Sequence, residues 1–164
     1  NEKLEQQTKY LEDQLKNCTA KWKIVTCHHS VFSPARGRDF KFARENWKPL
    51  LDKYNVDLVL NGHDHTYARG HVPIRSTDDA SELGTVYVTS VSGPKQYGLD
   101  RKQILAYKSQ GYRSDKTAEQ TQFFQVISIE DNTLSYVAYT VMGDEYDRAT
   151  ITKDFATGKK SLKD

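Results

Sequence analysis

The first sixty residues alternate between helical and strand-like segments, and this alternation limits the possible folds more than any other feature of the chain. An amphipathic stripe over 1–16 and an apolar rhythm of three and four residues over 40–54 predict helices. The segments 22–27 and 57–61 are short, apolar and rich in β-branched residues, which predicts strands. The order helix, strand, helix, strand predicts two parallel strands joined by a right-handed crossover.

The second half of the chain favours antiparallel pairing. Four further strands are predicted at 84–91, 121–130, 133–141 and 145–152. The polar segment 95–120 is expected to be a long loop with at most one helical turn, and 155–164 a polar tail. We therefore expect one α/β domain over 1–164, with a parallel start followed by an antiparallel meander.

Histidines follow both of the predicted parallel strands. His28 and His29 come after the first strand, and His63 and His65 come after the second, directly behind Gly62. The carboxyl ends of parallel strands share one edge of a sheet, and ligands bind at that edge. Neutral imidazole is the commonest metal ligand near pH 7, and two histidines at i and i+2 on an extended chain project to one side. The sequence therefore predicts a metal site with His28, His63 and His65 as ligands.

The remaining polar candidates do not complete such a site. His29 must point away from its neighbour, so it is a candidate for a catalytic, substrate-facing role rather than a ligand. Asp64 would face away from both flanking histidines on an extended chain, and 78–79 is a solvated acidic pair. His71 falls in a predicted edge strand and is expected to be structural or solvated. Two cations need oxygen ligands, and no convincing carboxylate cluster is present.

Composition excludes several classes of function. The chain has 24 basic and 22 acidic residues, a net charge of +2, which is too balanced for a nucleic-acid partner. No run approaches the roughly 20 apolar residues of a membrane-spanning helix. Cys18 and Cys27 are too few for a disulfide framework. We expect no nucleic-acid partner and no membrane insertion.

Two short motifs resemble those of a known family. Val25–His28 and Gly62–His65 resemble the last two of the five metal-binding motifs of the calcineurin-like metallophosphoesterases. The continuation 66–69, with an aromatic residue and an arginine, resembles the purple acid phosphatase branch, as does the strand that runs into 92–93. The resemblance is best over 21–93.

This resemblance implies a fold, a cofactor and a reaction. The chain would be the C-terminal half of a four-layer α/β/β/α sandwich, with the bridging carboxylates in a missing N-terminal half. His28 and His63 would bind one metal and His65 the other, the two ions (iron, zinc or manganese) lying roughly 3.5–4 Å apart. A metal-activated water would then attack a phosphate ester. The fragment alone is expected to be inactive, and it need not hold metal.

Three further side chains are candidates through the same resemblance. Arg36, in the loop after His28, would reach a phosphate oxygen, and Tyr67 and Arg69 would orient the histidines. The basic, tyrosine-containing stretch 95–116 would contact an anionic substrate. A bare sheet face would favour self-association or docking of the missing half, and the family branch suggests a periplasmic or secreted protein.

The residues alone leave two other interpretations of the three histidines open. The first is a non-catalytic metal-binding or interaction module with a three-histidine site. The second is a mononuclear zinc hydrolase or hydratase in which His28, His63 and His65 leave one position for water. Motifs upstream of residue 1 and the number of metal ions per chain distinguish these readings from the phosphatase.

Overall fold

The computed structural model describes residues 2–73 and 82–164, so the acidic pair 78–79 lies outside the described residues. The helical elements are α1 (Glu2–Lys16), a π-helical turn (Ala43–Trp47), α2 (Lys48–Lys53), α3 (Arg101–Ala106) and a 3-10 turn (Tyr107–Gln110). The strands are β1 (Ile24–Cys27), β2 (Leu58–Asn61), β3 (Tyr67–Pro73), β4 (Leu83–Thr89), β5 (Arg113–Ala118), β6 (Phe123–Glu130), β7 (Thr133–Thr140), β8 (Glu145–Lys153) and β9 (Lys160–Lys163). No helix in these ranges is long and apolar enough to cross a bilayer.

The strands form one mixed and one antiparallel sheet. The mixed sheet has the order β1-β2-β4-β3-β5, and the antiparallel sheet is the meander β6-β7-β8-β9. β1 and β2 are parallel, with Cys27 opposite Asn61, as the alternation of segments predicts. β4 is parallel to β2 and antiparallel to β3, so the mixed sheet extends past the predicted pair. The predicted α/β class with a parallel start and a meander is confirmed.

Both faces of the mixed sheet bury apolar side chains. Val59 on β2 packs in a core with Leu15 of α1 and Leu51 of α2. Its neighbour Leu58 points to the other face and packs in a second core with Leu134 of the meander. This alternation follows from the two-residue period of a strand. The chain's own meander therefore covers this face of the mixed sheet. Apolar side chains are nevertheless exposed on the meander strand β6, at Phe124, Val126 and Ile129.

β1 is the part of the mixed sheet that the meander leaves uncovered. It is an edge strand, and Ile24 is 38% exposed although its sequence predicts a buried strand. Ile24 and Thr26 are both exposed, whereas Val25 and Cys27 on the opposite face are half-buried. An unpaired strand edge with adjacent apolar surface is a favourable site for strand addition.

The segment 95–120 is not a long loop. It contains α3, the 3-10 turn and β5, and Asp100 starts α3 by accepting a hydrogen bond from the backbone N–H of Gln103 at 3.0 Å. β5 has no apolar periodicity because it is the other edge strand of the mixed sheet, held by backbone pairing with β3.

Two smaller expectations are also corrected. The tail 155–164 ends in β9, whose Lys160 is buried. His71 is not in an edge strand, since β3 lies between β4 and β5. In both cases the strand is polar or irregular in sequence, and its partners in the sheet supply the hydrogen bonds that define it.

Candidate metal site

The two parallel strands bring His28 and His63 into contact. Cys27 and Asn61 are opposite each other at the strand ends, and the Gly62 N–H donates to the His28 carbonyl at 3.0 Å. His28 Nε2 and His63 Nδ1 are 3.3 Å apart. Two imidazole nitrogens that bind one Zn²⁺ at about 2.0–2.1 Å each lie roughly 2.8–3.4 Å apart, depending on the coordination angle. The spacing of this pair therefore fits a shared ion.

The segment Gly62–His65 is a tight turn rather than extended chain. His63 has φ of 65° and His65 has φ of 50°, both in the left-handed region. The Asp64 N–H donates to the Gly62 carbonyl at 2.7 Å. Non-glycine residues held there cost of order 1–3 kcal/mol each and cluster at functional sites. The two imidazoles therefore project from a turn rather than from one side of an extended strand. His65 is still near enough to lower the pKa of His63.

His65 faces a different neighbour. Its Nδ1 lies 2.9 Å from the Lys95 carbonyl oxygen, which can only accept, so Nδ1 carries the proton. Its Nε2 is then the nitrogen with a free lone pair. The ring lies 4.9 Å from that of Tyr97. Within 2–73 and 82–164, no group of three or more His, Cys, Asp or Glu side chains is arranged to hold one ion. The three-histidine site of the alternative readings is therefore not formed by these side chains.

His29 does not point away from the other histidines. Its ring centroid lies 4.2 Å from that of His63 and 5.4 Å from that of His28. On its other side it contacts Phe40, with the ring centroids 4.8 Å apart. His29 is exposed, so its imidazole is open to solvent beside the His28–His63 pair.

Asp64 turns inward beneath the histidines. Its side chain is fully buried, and neither carboxylate oxygen makes a hydrogen bond of good geometry with the described residues. Burial raises the pKa of this carboxyl, and the nearby Ser30 and Ser33 hydroxyls offset the rise only in part. Asp64 therefore supports the turn from below and is not placed as a ligand beside His63.

The environment of His63 favours the neutral form of its imidazole. Burial lowers the pKa of His63 first, and the positive charges of neighbouring histidines and Arg38 lower it further. A neutral imidazole retains the lone pair that a metal requires.

An arginine that the sequence did not single out lies at this site. Nη1 of Arg38 is 3.0 Å from His63 Nε2, and Nη2 donates to the Tyr97 hydroxyl at 2.8 Å. Arg36, the predicted phosphate contact, is exposed two residues earlier in the same loop. Both arginines flank Gly37, and only the path of the folded loop decides which one faces the histidines.

Tyr67 and Arg69 belong to a different cluster, between the two sheets. The Tyr67 hydroxyl donates to Asp147 at 2.6 Å, and Arg69 binds the same carboxylate through Nε and Nη2 at 2.8 and 3.0 Å. Arg69 also contacts Asp115, which bonds His71 Nδ1 at 2.9 Å. The prediction that Tyr67 and Arg69 orient the metal-site histidines is wrong, because their hydrogen bonds are directed into the sheet interface.

Comparison with known proteins places this geometry in a family. Residues 2–67 match the family model described as calcineurin-like phosphoesterase. The chain is 40% identical over 112 residues to purple acid phosphatase 17 of Arabidopsis thaliana, covering 63% of this chain and 31% of that protein. It is 30% identical over 140 residues to purple acid phosphatase 4 of the same plant, covering 82% of this chain and 35% of that protein. The chain thus spans about a third of the length of these relatives.

A solved structure shares the fold. The purple acid phosphatase PPD1 from yellow lupin seeds superposes with a TM-score of 0.66 at 21% identity, covering 92% of this chain and 28% of that one. Both histidine motifs lie within the aligned family region, at the strand ends described above. Residues 2–67 thus match the calcineurin-like phosphoesterase family, and the chain is similar in sequence and in fold to purple acid phosphatases.

Proposed function

We propose that this chain contributes part of the two-metal centre of a phosphoester hydrolase. The observation that carries the proposal is the 3.3 Å approach of His28 Nε2 and His63 Nδ1 at the carboxyl edge of the parallel strands. His28 and His63 bind one ion in this proposal, and His65 binds the second. Iron, zinc and manganese all suit imidazole and oxygen ligands.

The chain's own residues prepare these ligands. Bound metal ions of this kind polarise the phosphoryl group and supply a nucleophilic water. Burial and the neighbouring positive charges lower the pKa of His63, which favours the neutral form that binds a metal. The hydrogen bond from His65 Nδ1 to the Lys95 carbonyl orients that ring and leaves Nε2 as the nitrogen for a metal. The exposed His29 is a candidate to exchange a proton with a phosphate ester or its leaving group.

The remaining ligands are proposed to come from outside this chain. Two divalent or trivalent ions need anionic oxygen ligands, and the nearest carboxylate in the motif, Asp64, is buried away from the imidazoles. The matched regions cover only 31% and 35% of these relatives, which leaves room for such ligands elsewhere in the protein. An exported location stays a prediction from the family resemblance.

A non-catalytic metal-binding module is the second candidate. The observation that favours it is the His28–His63 pair itself, which can share an ion without the oxygen ligands that a two-metal hydrolytic centre needs. The two candidates differ in one outcome: the full-length protein hydrolyses a phosphate ester in the first and only binds metal in the second.

The test is a His63→Ala substitution in the full-length protein. His63 is one of the two histidine ligands proposed for one ion, so its loss is expected to remove about one metal ion per chain. Turnover of an aryl phosphate should then fall by at least about a hundredfold. Metal content is measured by elemental analysis, and turnover by release of the phenol.

His71→Ala is the matched control, because His71 bonds Asp115 in β5 and does not contact the candidate ligands. It should retain both metal and activity. Undiminished hydrolysis in His63→Ala would overturn the proposal. If His63→Ala loses metal but the wild-type protein itself hydrolyses no phosphate ester, the result would favour the non-catalytic module.

A further inference from the structure

Arg38 is presented to the histidines by a braced loop rather than by a free surface segment. The Arg36 N–H donates to the Gly98 carbonyl at 2.9 Å, which joins this loop to the one before α3. Gln103 of α3 donates to the Arg38 carbonyl at 2.8 Å. The Arg38 backbone is therefore fixed on both sides, and its side chain is directed along the edge that carries His63.

No carboxylate lies within ion-pair distance of the Arg38 guanidinium in the part of the chain that the structure describes, although the buried Asp64 is close enough for the two charges to attract. The other inward-facing arginines do have a carboxylate at that distance: Arg44 pairs with Asp39, and Arg69 with Asp147. Arg38 is half-buried, and its contacts are a neutral imidazole and a tyrosine hydroxyl. A guanidinium is always charged, so this site holds a positive charge that an anion would neutralise.

The contact between Arg38 and His63 also determines where the imidazole proton lies. A guanidinium can only donate, so His63 Nε2 accepts and Nδ1 carries the proton. That proton points to His28 Nε2, 3.3 Å away. For Nδ1 to bind a metal, the ring must lose this proton and take one from solvent at Nε2, which leaves it neutral. Nε2 then donates and no longer accepts from Arg38, so the Arg38 contact and metal binding through Nδ1 exclude each other.

Arg38 has a second contact, Tyr97, which it can keep when its hydrogen bond to His63 is broken. Its Nη2 keeps the Tyr97 hydroxyl, 2.8 Å away, and its guanidinium lies 5.0 Å from the centre of the Tyr97 ring. Lys95 Nζ lies 5.2 Å from the same ring. Two cations thus share one aromatic side chain beside His65, and both can approach an anion in front of the histidines.

From this geometry we infer that Arg38 exchanges its contact with His63 for the phosphate group of the substrate when the metal site fills, and so positions the phosphate. The inference rests on the proposed function and adds a residue that binds the anion without binding metal. Arg36, on the exposed side of the same loop, has no such role.

The test compares Arg38→Met with Arg36→Met in the metal-loaded full-length protein. Methionine keeps length and apolar contact but removes the charge and all donors. Arg38→Met should weaken binding of inorganic phosphate by at least about tenfold, because charge-assisted hydrogen bonds are lost. Calorimetric titration gives the phosphate affinity, and a competing chelator gives the affinity for Zn²⁺. Arg38→Met should bind Zn²⁺ as tightly as wild type or more tightly, and Arg36→Met should match wild type in both.

The other possible results separate failure of the inference about Arg38 from failure of the proposed function. Wild-type phosphate affinity in Arg38→Met overturns the inference while leaving the metal-site proposal standing. Weaker Zn²⁺ binding in Arg38→Met also overturns it, since Arg38 would then support His63 rather than compete with the metal. If the wild-type protein binds neither Zn²⁺ nor phosphate, the proposed function fails and the inference fails with it.

Discussion

Two lysines bury their ammonium groups against one carboxylate at the end of the sheet opposite the histidines. Asp57 Oδ1 lies 2.9 Å from Lys153 Nζ and 3.2 Å from Lys160 Nζ. One carboxylate cannot neutralise two buried cations. Burial lowers the pKa of Lys160 to about 8, and the attraction of Asp57 offsets only part of that effect. At neutral pH this residue is therefore held charged at a cost to the folded state.

The pH dependence of stability should reveal this cost. The folded state releases the Lys160 proton near pH 8, whereas an unfolded lysine keeps its proton to about 10.5. Between these values the unfolded state binds more protons, so the free energy of unfolding contributed by Lys160 rises with pH. Lys160→Met should lack this rise, and the difference from wild type should change by about 1–2 kcal/mol between pH 7.5 and 9.5.

Urea denaturation at several pH values measures the difference, with the exposed Lys159→Met as control. Other titrating groups cancel when each variant is compared with wild type. Parallel curves for wild type and Lys160→Met would contradict the prediction.

At the scale of elements, a buried ion pair joins the two sheets. Arg69 is on β3 of the mixed sheet and Asp147 is on β8 of the meander, and both side chains are almost fully buried. Tyr67 and Tyr136 share a hydrogen bond in the same cluster. Breaking a buried ion pair typically costs about 3–5 kcal/mol. Arg69 also pairs with Asp115 and Asp164, so loss of Asp147 removes its bidentate partner but not every carboxylate beside it.

Asp147→Ala is therefore expected to lower the free energy of unfolding by about 2–4 kcal/mol, measured by chemical denaturation, because Asp115 and Asp164 still neutralise part of the Arg69 charge. Asp13→Ala breaks the exposed pair with Lys9 on α1 and should change stability by less than about 0.5 kcal/mol. Adding Arg69→Met to Asp147→Ala should restore part of the loss. If the Asp147 and Asp13 substitutions lowered the free energy of unfolding equally, the Arg69–Asp147 pair would not be what stabilises the contact between the sheets.

At the scale of the whole molecule, the open edge of β1 is a surface suited to pairing with a further strand. A groove of about 180 Å³ beside it is lined mostly by apolar side chains, among them Leu11, Val25 and Val59. The chain spans about a third of its relatives' length. We therefore expect a strand from the rest of the protein to pair with β1, and the isolated chain to self-associate through the same edge.

Ile24→Lys tests this expectation, because a charge on an edge strand opposes strand pairing. Sedimentation of the isolated chain should show oligomers for wild type and a larger monomer fraction for Ile24→Lys. Leu105→Lys, at an exposed position of α3, should behave as wild type. A wild-type chain that stays monomeric at high concentration would argue against an exposed pairing edge.

Local signals predicted the elements that carry strong patterns. The amphipathic stripe of α1, the apolar β2 and the turn at 131–132 between β6 and β7 all form near their predicted positions. β5 and β9 were missed because their residues are polar, and their backbone hydrogen bonds depend on strands distant in sequence. A strand of this kind leaves no periodic signal in its own residues.

The sequence by itself determined that histidines follow two parallel strands, because strand order and the shared carboxyl edge depend on local patterns and chain handedness. Only the tertiary structure decided which atoms meet there. The left-handed backbone at His63 and His65 sets the directions of two imidazoles that a straight strand would align. The path of one loop brings Arg38 rather than Arg36 to His63. Both outcomes follow from backbone dihedrals and loop contacts made at long range, which the types of neighbouring residues do not specify.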